Sequence, residues 1–309
     1  MDRFISCDWG TSRLRLRLVE RATQRVLSEH ISNDGIQTLA SLGPAGESRR
    51  ARLGAALEGG IATLGTDCLP GLPIVMSGMA SSTLGWQDLP YARLPASVDG
   101  GTLHVSDFIH HGRKVRLVSG LRGERDVMRG EETELIGLFS DPVRRPLADD
   151  CVAILPGSHS KHVRMTGGQI VDFTTFLTGE LFGLLAQSST LAGPVATEFD
   201  DEAFLAGVRT CQSLGLSAAL FQTRACVVLG RIAARHSRTF LSGTLIGAEL
   251  SALQRYLGVP LVLAAGGEVS RQYLLALKEL LPAAGVTAIP PDELAAAVVR
   301  GHSQLLSRP

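Results

Sequence analysis

Cys7-Asp8-Trp9-Gly10-Thr11-Ser12 is a short turn that holds one acid, one glycine and two hydroxyls between two strand-like segments. Residues 4–7 are mostly apolar, and residues 13–18 alternate strictly between arginine and leucine, as a half-buried strand does. The stretch therefore predicts a β-hairpin with a polar tip. Backbone N–H groups and hydroxyls at such a tip can bind phosphate oxygens, and an aspartate there can hold a hydrated Mg²⁺. The same residue types also form ordinary turns, so the stretch alone leaves both interpretations open.

Length, composition and charge narrow the range of partners. The 309 residues are enough for two ordinary domains, and a hydrophobic fraction of 45% is enough for full cores. Thirty basic and thirty acidic residues give a formal net charge of zero, which argues against nucleic acid and favours small-molecule partners. No apolar run approaches the length of a membrane span and no leader-like segment opens the chain, so we expect no membrane partner. The five cysteines are widely separated, which favours free thiols and a cytoplasmic location.

The pattern of the first residues recurs near the middle of the chain. Residues 151–155 predict a strand, Pro156-Gly157-Ser158-His159-Ser160 forms a second polar turn, and two strands on either side of Gly167-Gly168 follow. A helix is then predicted from Thr178, with Thr178 as its cap. Such a repeat predicts two similar domains, 1–148 and 149–309, that face each other across a cleft, with the last helix allowed to pack back on the first domain.

The rest of the chain predicts alternating helices and strands. The first half contains a helix at 46–63, a strand at 73–76, mixed strand and loop at 84–126, and a helix from Glu131. The second half contains helices near 200–213, 216–235 and 242–256, a strand at 260–264, and a last helix from Asp292. Gly266 and Gly267 lie between a strand and a helix. There they either let a nucleotide approach the backbone or simply form a tight turn.

Several of these segments together resemble the 2-keto-3-deoxygalactonate kinase family, within the actin-like ATPase and sugar kinase superfamily. The resemblance runs nearly end to end and is carried by Asp8-Trp9-Gly10-Thr11, Ser77-Gly78-Met79 with Gly85-Trp86, Val127-Met128-Arg129-Gly130-Glu131-Glu132-Thr133, Leu155-Pro156-Gly157-Ser158-His159-Ser160-Lys161, Thr178-Gly179-Glu180-Leu181, and Leu241-Ser242-Gly243 with Ile246-Gly247-Ala248-Glu249. The third and fourth of these stretches are the more specific ones. The resemblance implies an α/β fold of two ribonuclease H-like domains, each a mixed five-stranded sheet flanked by helices, with an interdomain cleft.

The same resemblance implies a function. It predicts ATP-dependent, Mg²⁺-assisted phosphorylation of the terminal C6 hydroxyl of 2-keto-3-deoxygalactonate, giving 2-keto-3-deoxy-6-phosphogalactonate and ADP in galactonate catabolism. Two alternatives stay open. One is another kinase of this fold, acting on pantothenate or a different keto-deoxy acid. The other is a sugar-sensing or chaperone-like ATPase. The oligomeric state is also open, and a homodimer is allowed for.

The candidate nucleotide site follows from the needs of phosphoryl transfer, which depends on positioning and charge neutralisation. Asp8 is the candidate magnesium ligand, acting through water. The candidate nucleotide-binding residues are Asp8, Gly10, Thr11, Ser12, Gly157, Ser158, Lys161, Gly266 and Gly267. Lys161 is equally well explained as a solvated side chain, and the contacts to adenine stay open.

A carboxylate must take the proton of the acceptor hydroxyl. Glu131 and Glu132 are the candidates because related kinases of this fold place a catalytic acid at this position, and Glu132 is slightly favoured. Glu134 is assigned to helix stability, since acids are common in a first helical turn.

The anionic substrate requires a group that binds its carboxylate. Arg129 is the candidate because a guanidinium matches a carboxylate in two hydrogen bonds, although an ordinary ion pair explains it as well. The other candidate substrate residues are Ser77, Gly78, Met79, Ser81, Trp86, Thr178 and Gly179. Trp86 either forms a wall of the pocket or belongs to the core, and His159 is either loop structure or a neighbour of phosphate.

Overall fold

A computed structural model describes residues 2–43, 45–191, 193–194 and 198–308. The strands and helices of the first half are β1 (Arg3–Trp9), β2 (Leu14–Glu20), β3 (Val26–Ser32), α1 (Ile36–Ser41), α2 (Glu47–Thr63), β4 (Ile74–Gly78), β5 (Ala92–Arg93), β6 (Ala96–Ser97), β7 (Val105–His110), β8 (Arg113–Val118), β9 (Leu121–Arg122), β10 (Val127–Met128) and α3 (Glu131–Phe139). Those of the second half are β11 (Asp150–Leu155), β12 (Ser160–Thr166), β13 (Gln169–Phe176), α4 (Thr178–Ser188), α5 (Asp201–Leu214), α6 (Leu216–Val228), α7 (Ser237–Ser251), β14 (Leu261–Leu263), α8 (Gly267–Leu280), β15 (Val286–Ala288) and α9 (Pro291–Leu306). Short 3₁₀ helices lie at Met79–Ser81, Arg145–Asp149, Ala234–His236 and Ala252–Tyr256.

The chain divides into two compact units. The first comprises Met1–Asp149, Met165–Asp172 and Asp292–Pro309, and the second comprises Asp150–Arg164 and Phe173–Pro291. The last helix, α9, thus belongs almost entirely to the first unit. The turn between β12 and β13 is also assigned to the first unit, whereas the sequence analysis placed this turn in the second domain.

The sheet of the first unit has the strand order β3-β2-β1-β4-β8-β7. Strands β1, β2 and β3 form an antiparallel meander, and β4 and β8 run parallel to β1. Leu14, Leu16 and Leu18 of β2 are fully buried, as the alternation predicts. The predicted hairpin and α/β class are confirmed. The sheet has a sixth strand, β7, beyond the five predicted, because an antiparallel partner of β8 lies in the segment predicted only as mixed strand and loop.

The second sheet repeats this order as β13-β12-β11-β14-β15. Strands β14 and β15 run parallel to β11. The connections β11 to β12 and β12 to β13 are four and two residues long, far too short for a parallel crossover, so these neighbours are antiparallel. The repeated ribonuclease H-like order predicted from the sequence is therefore confirmed. The two-residue β6 pairs with Gln169 and Ile170 at the start of β13, so this sheet also has a sixth strand beyond the five predicted.

Close helix packing fixes the position of α3 in the first unit. A Cβ on Gly137 of α3 would overlap the carbonyl of Ala297 in α9, and a Cβ on Gly301 of α9 would overlap the carbonyl of Thr133 in α3. Only glycine lets the two backbones approach this closely. Helix α9 therefore supports the helix that carries the candidate catalytic glutamates.

Some predicted details of the helix ends are wrong. The helix predicted at 242–256 begins at Ser237 and ends at Ser251. The helix predicted at 216–235 ends at Val228, because Gly230 follows with a φ of +67° and its N–H bonds back to Val227. Thr178 does not cap α4. Leu177 occupies the cap position, and the Thr178 hydroxyl donates instead to Glu249. Among the described residues, no helix is both long enough and apolar enough to cross a membrane.

Candidate active site

The end of β4 and the start of α3 meet in the first unit. Gly130 turns the chain into α3 with a φ of +115°, and a Cβ on it would lie 3.5 Å from the Cα of Gly78. Gly78 ends β4 with a φ of +83°, and a Cβ there would lie 2.7 Å from the Trp9 carbonyl oxygen. Asp8 pairs in register with Ser77 on β4. The glycines thus bring the first turn of α3 close to Asp8.

Glu132 is fully buried and caps its own helix. Its two carboxyl oxygens accept the Gly130 N–H at 2.9 and 2.7 Å, and the Thr133 hydroxyl donates to one of them at 3.2 Å. Burial, together with the charge of Glu131, raises the pKa of Glu132 to about 8. A carboxyl group enclosed in this way has no surface for a substrate, which favours Glu131 over Glu132 as the candidate base.

Glu131 and Glu134 lie on one face of α3. Glu131 is partly buried, and its carboxylate accepts the Arg129 N–H at 3.1 Å. Burial and the charges of Glu131 and Asp8 raise the pKa of Glu134 to about 8, whereas Arg15 opposes this rise. The charge of Asp8 in the candidate phosphate turn therefore acts on Glu134. The sequence analysis assigned Glu134 only to helix stability and missed this interaction. The i, i+3 spacing of the two glutamates is the signal that could have found it.

Asp8 is 19% exposed in its side chain and forms an ion pair with Arg15 at 2.8 Å across the hairpin. The Gly10 N–H closes the turn on the Arg13 carbonyl at 2.9 Å, and the Ser12 side chain is exposed. No group of three histidine, cysteine or acidic residues in the described part of the chain could hold a metal. Mg²⁺ commonly keeps several waters and takes one or two carboxylates plus substrate phosphates, so Asp8 fits a shared site with a triphosphate.

The Ser77 hydroxyl forms a hydrogen bond within the protein. Its hydroxyl lies 2.9 Å from Nε2 of His302, whose Nδ1 lies 2.7 Å from the Ser6 hydroxyl. Burial and the charge of Arg17 lower the pKa of His302 to about 3, so the imidazole is neutral. Ser77 is 1% exposed. The hydroxyl is therefore hydrogen-bonded within the protein, which argues against the predicted contact of Ser77 with substrate.

The Arg129 guanidinium forms no ion pair with an acid among the described residues, although the backbone N–H of Arg129 donates to Glu131. Its Nη1 donates to the Ser81 carbonyl at 2.5 Å and to the Ser81 hydroxyl at 2.6 Å. The guanidinium carbon lies 4.1 Å from the centre of the Tyr91 ring, and Nε is buried without a hydrogen bond. The guanidinium is therefore held by Ser81 and the Tyr91 ring and not by a carboxylate of the described residues.

Trp86 belongs to the core. It is 7% exposed, stacks on Phe108 at 5.8 Å and meets the edge of His110 at 4.7 Å. Met79 is partly buried against the same core. The prediction that Trp86 forms a pocket wall is corrected in favour of the core alternative.

In the second unit, the Gly157 turn packs on the first turn of α4. A Cβ on Gly179 would lie 2.5 Å from the Gly157 carbonyl oxygen, and the Ser158 carbonyl accepts the Glu180 N–H at 3.0 Å. Gly157 and Ser158 are exposed. Lys161 is only 3% exposed, and its ammonium donates to a carbonyl of the same turn at 2.8 Å, so the solvated alternative is wrong. The structure thus brings Gly157, Ser158 and Gly179 together.

A cavity of about 580 Å³ opens beside this turn, within the second unit. Pro156, Gly157, Thr178, Gly179 and Tyr273 line one part of it. The apolar lining includes Phe182, Phe199, Leu245, Ile246 and Val269, and the polar lining includes Arg238, Thr239, Ser242 and Gln272. A mostly apolar cavity with a few polar groups suits a small organic ligand such as a nucleoside.

Gly266 and Gly267 do not line this cavity. Gly266 caps α8, and Gly267 begins α8 with a φ of +55°. Gly267 lines a different cavity, of about 670 Å³, on the other side of α8. The role of the two glycines as nucleotide contacts therefore stays a prediction. The polar lining of the 580 Å³ cavity includes Ser242 and Gln272, which hydrogen-bond to each other at 2.8 Å.

Comparison with known proteins decides the family. A family profile described as 2-keto-3-deoxy-galactonokinase matches residues 8–301. The chain belongs to this family. The 2-dehydro-3-deoxygalactonokinase of Escherichia coli strain K12 is 32% identical to it over 307 residues, covering 96% of each chain. A Rhizobium meliloti protein assigned as 2-dehydro-3-deoxygalactonokinase DgoK1 is 33% identical over 264 residues, covering 80% of this chain and 79% of that one.

A solved structure supports the same membership. The crystal structure of a protein assigned as a 2-dehydro-3-deoxygalactonokinase from Sinorhizobium meliloti matches with a TM-score of 0.81 and 30% identity. The match covers 99% of this chain and all of that chain. The resemblance to the 2-keto-3-deoxygalactonate kinase family, predicted from the motifs, is confirmed.

Proposed function

We propose that this protein phosphorylates the C6 hydroxyl of 2-keto-3-deoxygalactonate with ATP, giving 2-keto-3-deoxy-6-phosphogalactonate and ADP. Family membership over residues 8–301 is the observation that carries this conclusion. The match to the E. coli kinase covers 96% of both chains, so it extends across both units. The other kinases of this fold are weaker candidates because no comparable match supports them.

ATP binding is assigned to the second unit. The nucleoside occupies the 580 Å³ cavity, where the apolar side chains cover the base and the Ser242–Gln272 pair supplies polar contacts. The phosphates extend toward Gly157 and Ser158, whose turn is exposed and lies at one part of the lining. This assignment explains why a glycine turn and an apolar cavity occur side by side.

Asp8 would hold the Mg²⁺ that accompanies ATP, and the bound ion neutralises charge on the phosphate oxygens. The fit rests on the partial exposure of the Asp8 carboxylate. Arg15 orients that carboxylate from β2, and the hydroxyls of Thr11 and Ser12 follow it in the turn.

The sugar acid is assigned to the segment that joins β10 and α3. Arg129 binds the substrate carboxylate, since its guanidinium bonds to Ser81 and forms no ion pair with a described acid. Glu131, which is partly buried, takes the proton from the acceptor hydroxyl. The Arg129 N–H holds the Glu131 carboxylate at 3.1 Å, so the substrate-binding residue also orients the base.

Two adjacent glutamates provide a matched test. Glu131→Gln is expected to lower kcat by about 100-fold or more, which is the range for loss of a general base. Glu132→Gln is the control and is expected to keep kcat within about threefold, because Glu132 is enclosed by its own helix. Steady-state assays coupled to ADP release measure both. An active Glu131→Gln enzyme would contradict the assignment of the base.

A cytoplasmic location and a homodimer are part of this proposal. The five cysteines are free, as expected in a reducing compartment. Phe221 and Leu229 at α6 are 64% and 62% exposed, an apolar surface that self-association would cover. Sedimentation of the purified protein tests the homodimer, since a monomer at micromolar concentration would contradict it.

A further inference from the structure

Glu249 on α7 is a buried acid with no role in the site described so far. It is 2% exposed. Three groups from three other elements donate to its carboxyl oxygens. His162 of β12 lies 3.0 Å from Oε1, the Tyr273 hydroxyl of α8 lies 2.7 Å from Oε2, and the Thr178 hydroxyl of α4 also donates to Oε2. Glu249 therefore connects β12, α4 and α8 through one side chain.

The hydrogen-bond network continues from Glu249 to the Gly157 turn. The Tyr273 hydroxyl lies 3.2 Å from the Ser160 hydroxyl, which accepts the Gly157 N–H at 3.3 Å. Both Tyr273 and Thr178 line the 580 Å³ cavity. Thr178 is followed directly by Gly179, which packs on the Gly157 carbonyl. Two of the three partners of Glu249 thus form the wall of the candidate nucleotide site.

The hydrogen-bond chemistry of the Glu249 side chain explains why a carboxylate is needed at this position. Burying a carboxylate is unfavourable unless its lone pairs are satisfied, and here three donors satisfy them. A glutamine amide has one oxygen, and its NH₂ group would face the donors of the network. Burial, together with the charge of Glu249, raises the pKa of Tyr273, so its hydroxyl keeps the proton that it donates.

We propose that Glu249 is a positioning residue for ATP, which fixes the cavity wall and the Gly157 turn in one arrangement through Thr178 and Tyr273. This inference rests on the proposed function, because it assigns ATP to the same cavity. Glu249 does not touch the nucleotide. It acts on the nucleotide site in the second unit and leaves Arg129 and Glu131 in the first unit unchanged.

Glu249→Gln tests the inference because it is expected to weaken the binding of ATP and to leave the binding of the sugar acid unchanged. The KM and the calorimetric Kd for ATP are expected to rise about tenfold, which corresponds to about 1.4 kcal/mol, whereas the KM for the sugar acid stays within twofold. The matched control is Glu202→Gln on α5, whose side chain is 76% exposed and bonds only to a surface arginine. It is expected to change neither constant. A loss of packing alone would lower the unfolding temperature and leave the ATP Kd of the folded protein unchanged.

Two further variants keep the inference testable if Glu249→Gln does not fold. Thr178→Val and Tyr273→Phe each remove one donor and are expected to weaken ATP binding selectively. The double variant Glu249→Gln/Thr178→Val is expected to bind ATP no more weakly than Glu249→Gln alone, because both changes break the same contact. Unchanged ATP affinity in the single variants, or an equal rise in both KM values, would overturn the inference. Failure of the wild-type protein to bind ATP would instead refute the proposed function.

Discussion

Replacing Glu132 with glutamine should make the first unit less sensitive to alkaline pH. The pKa of Glu132 is about 8 in the folded protein, against an ordinary value of 4.5. Between these two values the unfolded chain releases a proton that the folded protein keeps. The contribution of Glu132 to the free energy of unfolding is therefore greatest below pH 4.5 and is lost as the pH rises through 8.

The size of the effect follows from this pKa difference. One pKa unit corresponds to about 1.4 kcal/mol, so the full range corresponds to about 5 kcal/mol, of which about 3 kcal/mol falls between pH 6 and pH 9. Glutamine does not titrate, and its amide oxygen can still accept the Gly130 N–H. Relative to the wild type, Glu132→Gln is therefore expected to gain about 3 kcal/mol in unfolding free energy between pH 6 and pH 9.

Tryptophan fluorescence is a suitable probe because the only two tryptophans, Trp9 and Trp86, are both buried in the first unit. Urea unfolding at pH 6 and pH 9 gives the free energies for the wild type and the variant. Glu124→Gln, which changes an exposed glutamate of the same unit, is the control and should behave like the wild type. A Glu132→Gln protein with the pH dependence of the wild type would refute the reasoning.

Three further predictions concern other parts of the site. Gly179→Ala should lower both stability and ATP affinity, because its Cβ would lie 2.5 Å from the Gly157 carbonyl oxygen. The control is Gly183→Ala on the same helix, whose Cβ meets nothing within 4 Å and which should be tolerated. Thermal unfolding measures the stability of each variant, and titration with ATP measures its affinity. His302→Gln should reduce acid sensitivity: the pKa of His302 is about 3 against 6.5 for an ordinary histidine, so its contribution to stability is present above pH 6.5 and lost as the pH falls toward 3. The wild type should therefore lose about 3 kcal/mol more than the variant between pH 7 and pH 4.5, and equal losses in urea unfolding would contradict this. Arg129→Lys should raise the KM for the sugar acid about tenfold, since lysine cannot form the paired hydrogen bonds of a guanidinium, and leave the KM for ATP unchanged; a rise in both would contradict the assignment.

The repeated fold could be predicted because its signals are local. The arginine–leucine alternation of β2 sets which side chains are buried, and the polar turns after β1 and β11 set where the strands reverse. The sixth strand, β7, was missed because its pattern is short and lies among glycines and prolines.

The site was predicted less completely because its partners are distant in the sequence. From the sequence, Thr178 resembles a helix cap, but its hydroxyl donates to Glu249, which lies 71 residues later in the chain. Ser77 looks like a loop hydroxyl until His302, 225 residues later, lies beside it. The roles of Glu132 and Glu134 depend on how deeply each is buried at the start of α3, which residue type and spacing do not determine.

The activity proposed for this chain is transfer of the γ-phosphoryl group of ATP to the C6 hydroxyl of 2-keto-3-deoxygalactonate. Incubation of the purified protein with ATP, Mg²⁺ and a panel of keto-deoxy sugar acids, followed by mass spectrometry and NMR of the products, tests it most directly. The expected result is ADP and the 6-phosphate of 2-keto-3-deoxygalactonate, with much lower turnover of the gluconate epimer. Phosphorylation of the epimer alone, or no phosphorylated sugar acid at all, would contradict it.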